Sequence, residues 1–147
     1  MTELETNGVG RHVFPLRVYY EDTDAEGVVY YANYLKFAER ARTELLRELG
    51  FEHHDLMNGD GVAFFVRRCL ADFKQSARLD DALEVVSEIE KVGGASLDAH
   101  QAITRDGEDL VSLDIRLACL DGNGKAARMP AKLRHALEEF RIGKGQN

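Results

Sequence analysis

The chain predicts an α+β domain in which one long helix lies against an antiparallel sheet of about five strands, with a short second helix near the C-terminal end. Three observations predict it. From Tyr34 to Leu49 the apolar residues 34, 38, 41, 45 and 49 recur at steps of three and four, which puts them on one helical face. Between residues 62 and 120, runs rich in Val, Ile, Leu and Phe are punctuated by the hairpin signals Gly93-Gly94 and Asp106-Gly107. The last of these runs alternates cleanly, with Val111, Leu113, Ile115, Leu117 and Cys119 on one side and Ser112, Asp114 and Arg116 on the other.

Taken in order, residues 1 to 11 carry little apolar content and predict a disordered tail. Val13 to Tyr20 is rich in β-branched and aromatic residues and predicts the first strand, with Pro15 near its start, where proline is tolerated. An acidic turn follows, and Asn33 is placed to cap the long helix. Phe37 and Leu46 widen the apolar stripe, so this helix should be largely enclosed, and Gly50 supplies a left-handed stop. Residues 51 to 61 have a loop composition. Val62 to Lys74 predicts a long strand, bent or bulged where Arg67-Arg68 interrupt it. A turn over Ser76 to Asp81 leads to a strand over Leu83 to Val92, with Val85 and Ile89 on one face and Glu88 and Glu90 on the other. Leu97, Ala99 and Ile103 share a face of the next strand, so residues 62 to 120 read as an antiparallel meander. Pro130 can open a final helix in which Leu133, Leu137 and Phe140 share a face, and residues 143 to 147 predict a second disordered tail. One domain over residues 12 to 142 is the expectation.

At 147 residues and 44% hydrophobic, the chain can bury an adequate core. A formal charge of −7 argues against a nucleic-acid surface, which needs Lys and Arg clustered over a broad face. No run approaches ~18 apolar residues and no signal peptide is recognised, so the expectation is a cytoplasmic protein without a transmembrane segment. Cys69 and Cys119 lie in strand-like stretches and read as buried small hydrophobes. The pair His53-His54 lacks a spaced third ligand, and no metal or cofactor is expected.

The chemistry sits in the acidic turn, Asp22-Thr23-Asp24-Ala25-Glu26-Gly27, placed directly before the long helix. Free backbone N–H groups at a helix start can polarise a carbonyl, and a nearby carboxylate can act as base or nucleophile. The same residue types also suit an ordinary turn in which Asp side chains bond nearby backbone. A calcium loop fails, because position twelve from Asp22 is Asn33, where a bidentate Glu is required, and a strand precedes the loop. No Gly-x-Ser-x-Gly elbow is present, and the helix and its lead-in contain no His to serve a dehydratase.

The run Tyr19-Tyr20-Glu21-Asp22-Thr23-Asp24-Ala25-x-Gly27-Val28-Val29-Tyr30-x-Ala32-Asn33-Tyr34, followed by Glu39-Arg40-Ala41-Arg42-Thr43-Glu44, closely resembles the acyl-CoA thioesterases of the 4-hydroxybenzoyl-CoA thioesterase family, in particular those associated with the Tol–Pal envelope system. The resemblance continues through Phe64-Phe65-Val66-Arg67 and Ser76 to Asp81, as far as about Pro130. It implies a hotdog fold, an acyl-CoA substrate and hydrolysis of its thioester. It also implies that Asp24 is the catalytic carboxylate, as general base or as nucleophile, and that the backbone N–H of Tyr31 polarises the thioester oxygen. Gly27 would let the chain turn tightly enough to bring the two together. Envelope-type members carry His where this chain has Tyr31, so an imidazole role cannot carry over. By the same resemblance Tyr20 lines the site, although a core aromatic of the strand is the other reading. Glu39 either faces the pocket across a subunit interface or pairs with Arg42, and Phe64 is pocket wall or core. Arg128, with Lys125 nearby, would meet the nucleotide end of coenzyme A, while the Gly93-Gly94 hairpin offers only Lys91. That sparse basic set leaves an acyl carrier protein as an alternative carrier, and a non-catalytic acyl-binding scaffold as an alternative function. Hotdog proteins pair edge to edge, so a homodimer or homotetramer is expected.

Overall fold

The computed structural model describes the backbone of residues 3–6 and residues 9–144. Six strands form one antiparallel sheet: β1 Glu3–Thr6, β2 Gly10–Arg17, β3 Val62–Phe73, β4 Ala82–Val92, β5 Ser96–Arg105 and β6 Glu108–Asp121. Their spatial order is β1-β2-β4-β5-β6-β3. Helix α1 (Asn33–Glu48) packs against β2, β4 and β5; a short helix, α2 (His53–Asp55), runs on into a π turn over Leu56–Asp60 where a loop was expected, and the C-terminal helix α3 (Ala131–Arg141) packs against β4 and β2. This is the hotdog arrangement, with the five long strands expected and a sixth, short one at the edge. None of the helices among the described residues is long and apolar enough to cross a membrane.

The core follows from the two periodicities. Tyr34, Phe37, Ala38, Ala41, Leu45 and Leu46 of α1 are buried, and they meet Leu83, Val85 and Ile89 of β4, Leu97, Ala99 and Ile103 of β5, and the alternating Val111 to Cys119 of β6. Leu133, Leu137 and Phe140 close the same core from α3, whose first turn Pro130 precedes as expected. Gly50 ends α1 at φ +96°, and Asp106-Gly107 turn β5 into β6 with φ of +53° and +80°.

Several expectations are corrected. Residues 3–6 pair with β2 (Leu4 opposite His12), and Gly10 and Arg11 already belong to β2, so the predicted N-terminal tail over 1 to 11 is in part sheet. Residues 1, 2, 7, 8 and 145–147 of the two expected tails lie outside the described residues; Gly143 and Lys144 fold back onto α3 by donating to the carbonyls of Phe140 and Glu139. The meander is β4-β5-β6 alone. β3 lies at the far edge, paired with β6 from Val62↔Asp121 to Phe73↔Val111, with the expected bulge between Val66 and Arg68. The segment 74–81 therefore crosses the sheet rather than turning a hairpin. At this sheet edge Phe65, Val66, Leu70 and Phe73 are 46–65% exposed, and Cys69 is exposed where burial was expected. Cys119 is buried as read. The helix itself keeps Leu35, Lys36, Glu39, Arg40, Arg47 and Glu48 in contact with solvent, a wider face than its apolar stripe suggested.

Candidate active site

The acidic turn is pinned from both ends. Tyr20–Asp22 forms one 3-10 turn, whose Asp22 carboxylate accepts the Tyr19 N–H at 2.8 Å. The Asp22 carbonyl accepts the N–H of Tyr30 at 3.0 Å and the Asn33 side-chain amide at 2.9 Å. Asn33 therefore ties the loop down instead of capping α1, whose cap position is Ala32 and has no side-chain hydrogen bond. A bridge between Thr23 and Val29 and the bonds Asp24 N–H to Val28 carbonyl (2.9 Å) and Gly27 N–H to Asp24 carbonyl (3.1 Å) close a tight hairpin around Gly27 at φ +77°. The crossover segment seals it from below: Val29 donates to the Ala77 carbonyl at 2.9 Å, and the Ala77 N–H donates to the buried Tyr34 hydroxyl at 2.9 Å. Burial raises the pKa of that phenol above its usual value.

Two groups in this frame are left able to react. Asp24 is exposed; one carboxylate oxygen, Oδ1, accepts the Glu26 N–H at 2.9 Å, and the other has no hydrogen bond among the described residues. Tyr31 is 61% exposed, and its backbone N–H, at the start of α1, likewise has no acceptor among them. Its ring meets Phe73 of β3 edge-on, centroids 5.9 Å apart. An N–H at a helix start, with the dipole behind it, stabilises negative charge developing on an oxygen. A carboxylate with a free oxygen can take a proton from water or attack a carbonyl.

The remaining predicted residues fall in three places. Tyr20 is 83% exposed on the 3-10 turn, so the core-aromatic reading is overturned. Glu39 and Phe64 line a cavity of about 340 Å³ between the second half of α1, the sheet and Leu137 of α3. Glu39 makes no ion pair with Arg42, whose Nη1 donates to Gln101 Oε1 at 2.9 Å instead. Neither Asp24 nor Tyr31 lines this cavity; Arg42 is eleven positions beyond Tyr31 along α1 and its lead-in, about 16 Å at ~1.5 Å per residue. Lys125 lies in the turn after β6, its N–H on the Asp121 carboxylate at 3.1 Å. Arg128 lies beside the β4–β5 turn, where the Met129 N–H donates to the Gly94 carbonyl at 2.8 Å.

Two features were missed. Arg134 of α3 also reaches the β4–β5 turn, donating to the Gly93 carbonyl at 3.3 Å, so that turn is richer in positive charge than its own sequence suggests. Gln101 is fully buried beneath α1. The register Leu97, Ala99, Ile103 already points residue 101 inward, and that was the available signal.

Comparison with known proteins decides the family, since the profile of the thioesterase-like superfamily matches residues 18–137. The chain belongs to that superfamily. It is similar to an acyl-CoA thioesterase, YbgC, of Haemophilus influenzae, 42% identical over 129 residues that cover 87% of this chain and 95% of that one. It is similar also to an acyl-CoA thioester hydrolase, YbgC, of Escherichia coli O6:H1, 46% identical over 109 residues covering 74% and 81%. Among solved structures, a probable thioesterase from Bartonella henselae superposes with a TM-score of 0.79 at 37% identity, covering 82% of this chain and 99% of that one. The Tol–Pal-type resemblance carried by the Tyr19–Tyr34 run thus agrees with these relatives.

Proposed function

We propose that the protein hydrolyses acyl-CoA thioesters to the free acid and coenzyme A, with Asp24 as general base or nucleophile and the Tyr31 N–H as oxyanion donor. The observation that carries this reading is the pairing, on one pinned loop, of a carboxylate with an unspent oxygen and a helix-start N–H with no acceptor. As base, Asp24 takes a proton from water while the water oxygen bonds to the thioester carbon; the oxyanion forms against the Tyr31 N–H, and its collapse breaks the C–S bond and releases the thiolate, which takes up the proton. As nucleophile, Asp24 bonds to the thioester carbon and the C–S bond breaks, expelling the coenzyme A thiolate; water then opens the mixed anhydride to the free acid and the Asp24 carboxylate, and a proton from the water passes to the thiolate. The names of the two curated relatives support the reaction class.

Assembly belongs to the same proposal. β3 is a twelve-residue edge with exposed Phe65, Val66, Leu70 and Phe73, whereas the opposite edge is the four-residue β1. Long apolar edges invite pairing, and two-fold antiparallel pairing of β3 with a second copy brings the Phe73 end of one chain to the Phe64 end of the other. Phe73 touches Tyr31 and Phe64 lines the cavity, so each site would combine the reactive loop of one chain with the cavity of its partner. The homodimer is the functional unit on this reading, with a dimer of dimers above it. Tyr20 and Gly27 frame the thioester, while Arg128, Lys125 and Arg134 face the phosphates of coenzyme A; a cytoplasmic setting supplies that carrier, and acyl carrier protein is the competing one. Release of free thiol from a panel of acyl-CoA thioesters by the purified protein tests the reading. No release from any member, by a folded dimeric sample, refutes it.

A further inference from the structure

The cavity under α1 has an unusual wall. Arg42 stands in it, a little past the middle of α1, with Thr43 and Ser87 in the same lining. Burial pulls the pKa of its guanidinium below the usual arginine value, against the opposing charges of Glu39 and Cys69. Among the described residues no carboxylate lies within ion-pair distance of it. Its one hydrogen bond goes to Gln101 Oε1. The orientation of that amide is fixed, because Gln101 Nε2 donates to the Ala38 carbonyl at 3.0 Å and to Ser87 Oγ at 2.9 Å, and a carbonyl can only accept. The oxygen must therefore face Arg42.

A guanidinium has five N–H donors, and this one spends a single donor on a neutral acceptor. A half-buried cation so poorly paired carries a desolvation cost that a bound anionic group would offset. A planar fork with donors to spare matches a carboxylate in two-point contact better than any other common group. Leu45, Ile89, Leu97 and Leu137 give the wall an apolar stretch that suits a methylene chain, while Glu39, Thr43, His53 and Ser87 add polar groups elsewhere in the lining. At the ~30 Å³ that a water-sized group occupies, about 340 Å³ holds roughly ten non-hydrogen atoms.

We propose that Arg42 is a specificity-determining residue that selects acyl groups of up to about ten non-hydrogen atoms bearing an accepting oxygen, a carboxylate above all, at the end remote from the thioester. The proposal rests on the reading that the acyl group occupies this cavity during hydrolysis. Gln101 is then a positioning residue, holding the guanidinium in one orientation through Ser87 and the α1 backbone.

The test compares plain and ω-carboxylated acyl-CoA thioesters of equal length, hexanoyl with adipoyl and octanoyl with suberoyl, using the wild-type dimer. The expected result is a kcat/KM at least about tenfold higher for the carboxylated member of at least one pair, because a site built around a polar substrate group discriminates strongly against its absence. Arg42→Met should abolish or reverse that ratio, and Arg42→Lys, which keeps the charge and loses the fork, should retain part of it. Equal rates within both pairs, or a preference for the plain chains, overturns the proposal even if Arg42→Met fails to fold. So does an Arg42→Met variant that loses thermal stability and activity on both members in proportion, since that marks a structural role or completion by the partner chain. Failure to hydrolyse any CoA thioester would overturn the functional reading itself, and this inference with it.

Discussion

Gly10→Ala should loosen the C-terminal helix from the sheet. Gly10 lies on β2 directly under the last turn of α3, and a Cβ built there would sit 1.8 Å from the Phe140 carbonyl oxygen, 2.8 Å from its carbon and 3.2 Å from its ring. The obstacle is backbone, so no rotamer change relieves it. The final turn of α3 has to move by about 1.5 Å to restore contact distance, carrying with it the Phe140 side chain, which is 1% exposed. Overpacking of this kind costs ~1–3 kcal/mol, and complete loss of one buried aromatic side chain sets an upper scale of about 3 kcal/mol. A loss of roughly 2–3 kcal/mol is expected, which for a chain of this size lowers Tm by about 4–12 °C. Circular-dichroism melts measure it, with Gly122→Ala as the control, because a Cβ at Gly122 meets nothing within 4 Å. The control should be neutral or stabilise by a few tenths of a kcal/mol, through the reduced entropy of the unfolded chain. A Gly10→Ala variant within about 0.5 kcal/mol of wild type would show that α3 is not seated on β2 as described.

Asp24→Asn should lower kcat by at least about a hundredfold with a smaller change in KM, since base catalysis typically supplies ~10²–10⁴-fold; Asp22→Asn should do far less, because a carboxamide oxygen can still accept the Tyr19 N–H, and equal losses in the two variants would reject Asp24 as the sole essential carboxylate. Tyr31→Phe should cost little turnover, because the backbone N–H is the proposed donor and the edge contact with Phe73 survives; abolished hydrolysis in a folded variant would assign the phenol a chemical role. His12 is fully buried on β2 with neither ring nitrogen bonded, and burial holds its pKa below the usual imidazole value despite Glu48 and Glu44. The unfolded chain then binds the extra proton first, near pH ~6.5, so stability falls as pH drops below that value. Measured against His12→Leu, which carries no titrating group at this position, the wild-type urea midpoint should fall between pH 7.5 and pH 5.5; parallel pH profiles would refute it.

Local pattern made α1, the β4-β5-β6 meander and α3 legible, because each rests on a period or turn signal contained within the element itself. The position of β3 was not legible. Ser76 to Asp81 has the composition of a hairpin turn, and nothing in its residues distinguishes a turn from a segment that crosses to the far edge. Glu3–Thr6 escaped notice because a short, mostly polar strand is defined by its partner, here β2. The roles proposed for Asp24 and Tyr31 come from resemblance to a family, since the residue types of the acidic turn also suit an ordinary turn. The structural reason for Asn33 is its reach to the Asp22 carbonyl, a contact across eleven residues that capping rules do not contain. Arg42 looked like a solvent-face residue beside Glu39, yet position 42 follows Ala38 by four and precedes Leu45 by three, at the margin of the buried stripe. Which way such a margin residue points depends on Gln101, and so on the sheet register.

The chain order of the helix and its sheet has a consequence for synthesis. When α1 leaves the ribosome, β1 and β2 are the strands already made among the described residues; β4 and β5, against which it packs, are completed about 57 residues later at Arg105. At ~5–20 residues per second that interval lasts about 3 to 11 s. Through it, a nascent helix must carry Phe37, Leu45 and Leu46 without the surface that finally covers them. The hairpin that holds Asp24 waits as well, since Ala77 and Arg78, which clamp it, arrive only with the crossover. The nascent chain therefore presents its stickiest segment early and its acidic loop unclamped, and a chaperone that shields residues 33 to 48 should raise the yield of folded protein more than one acting on any strand.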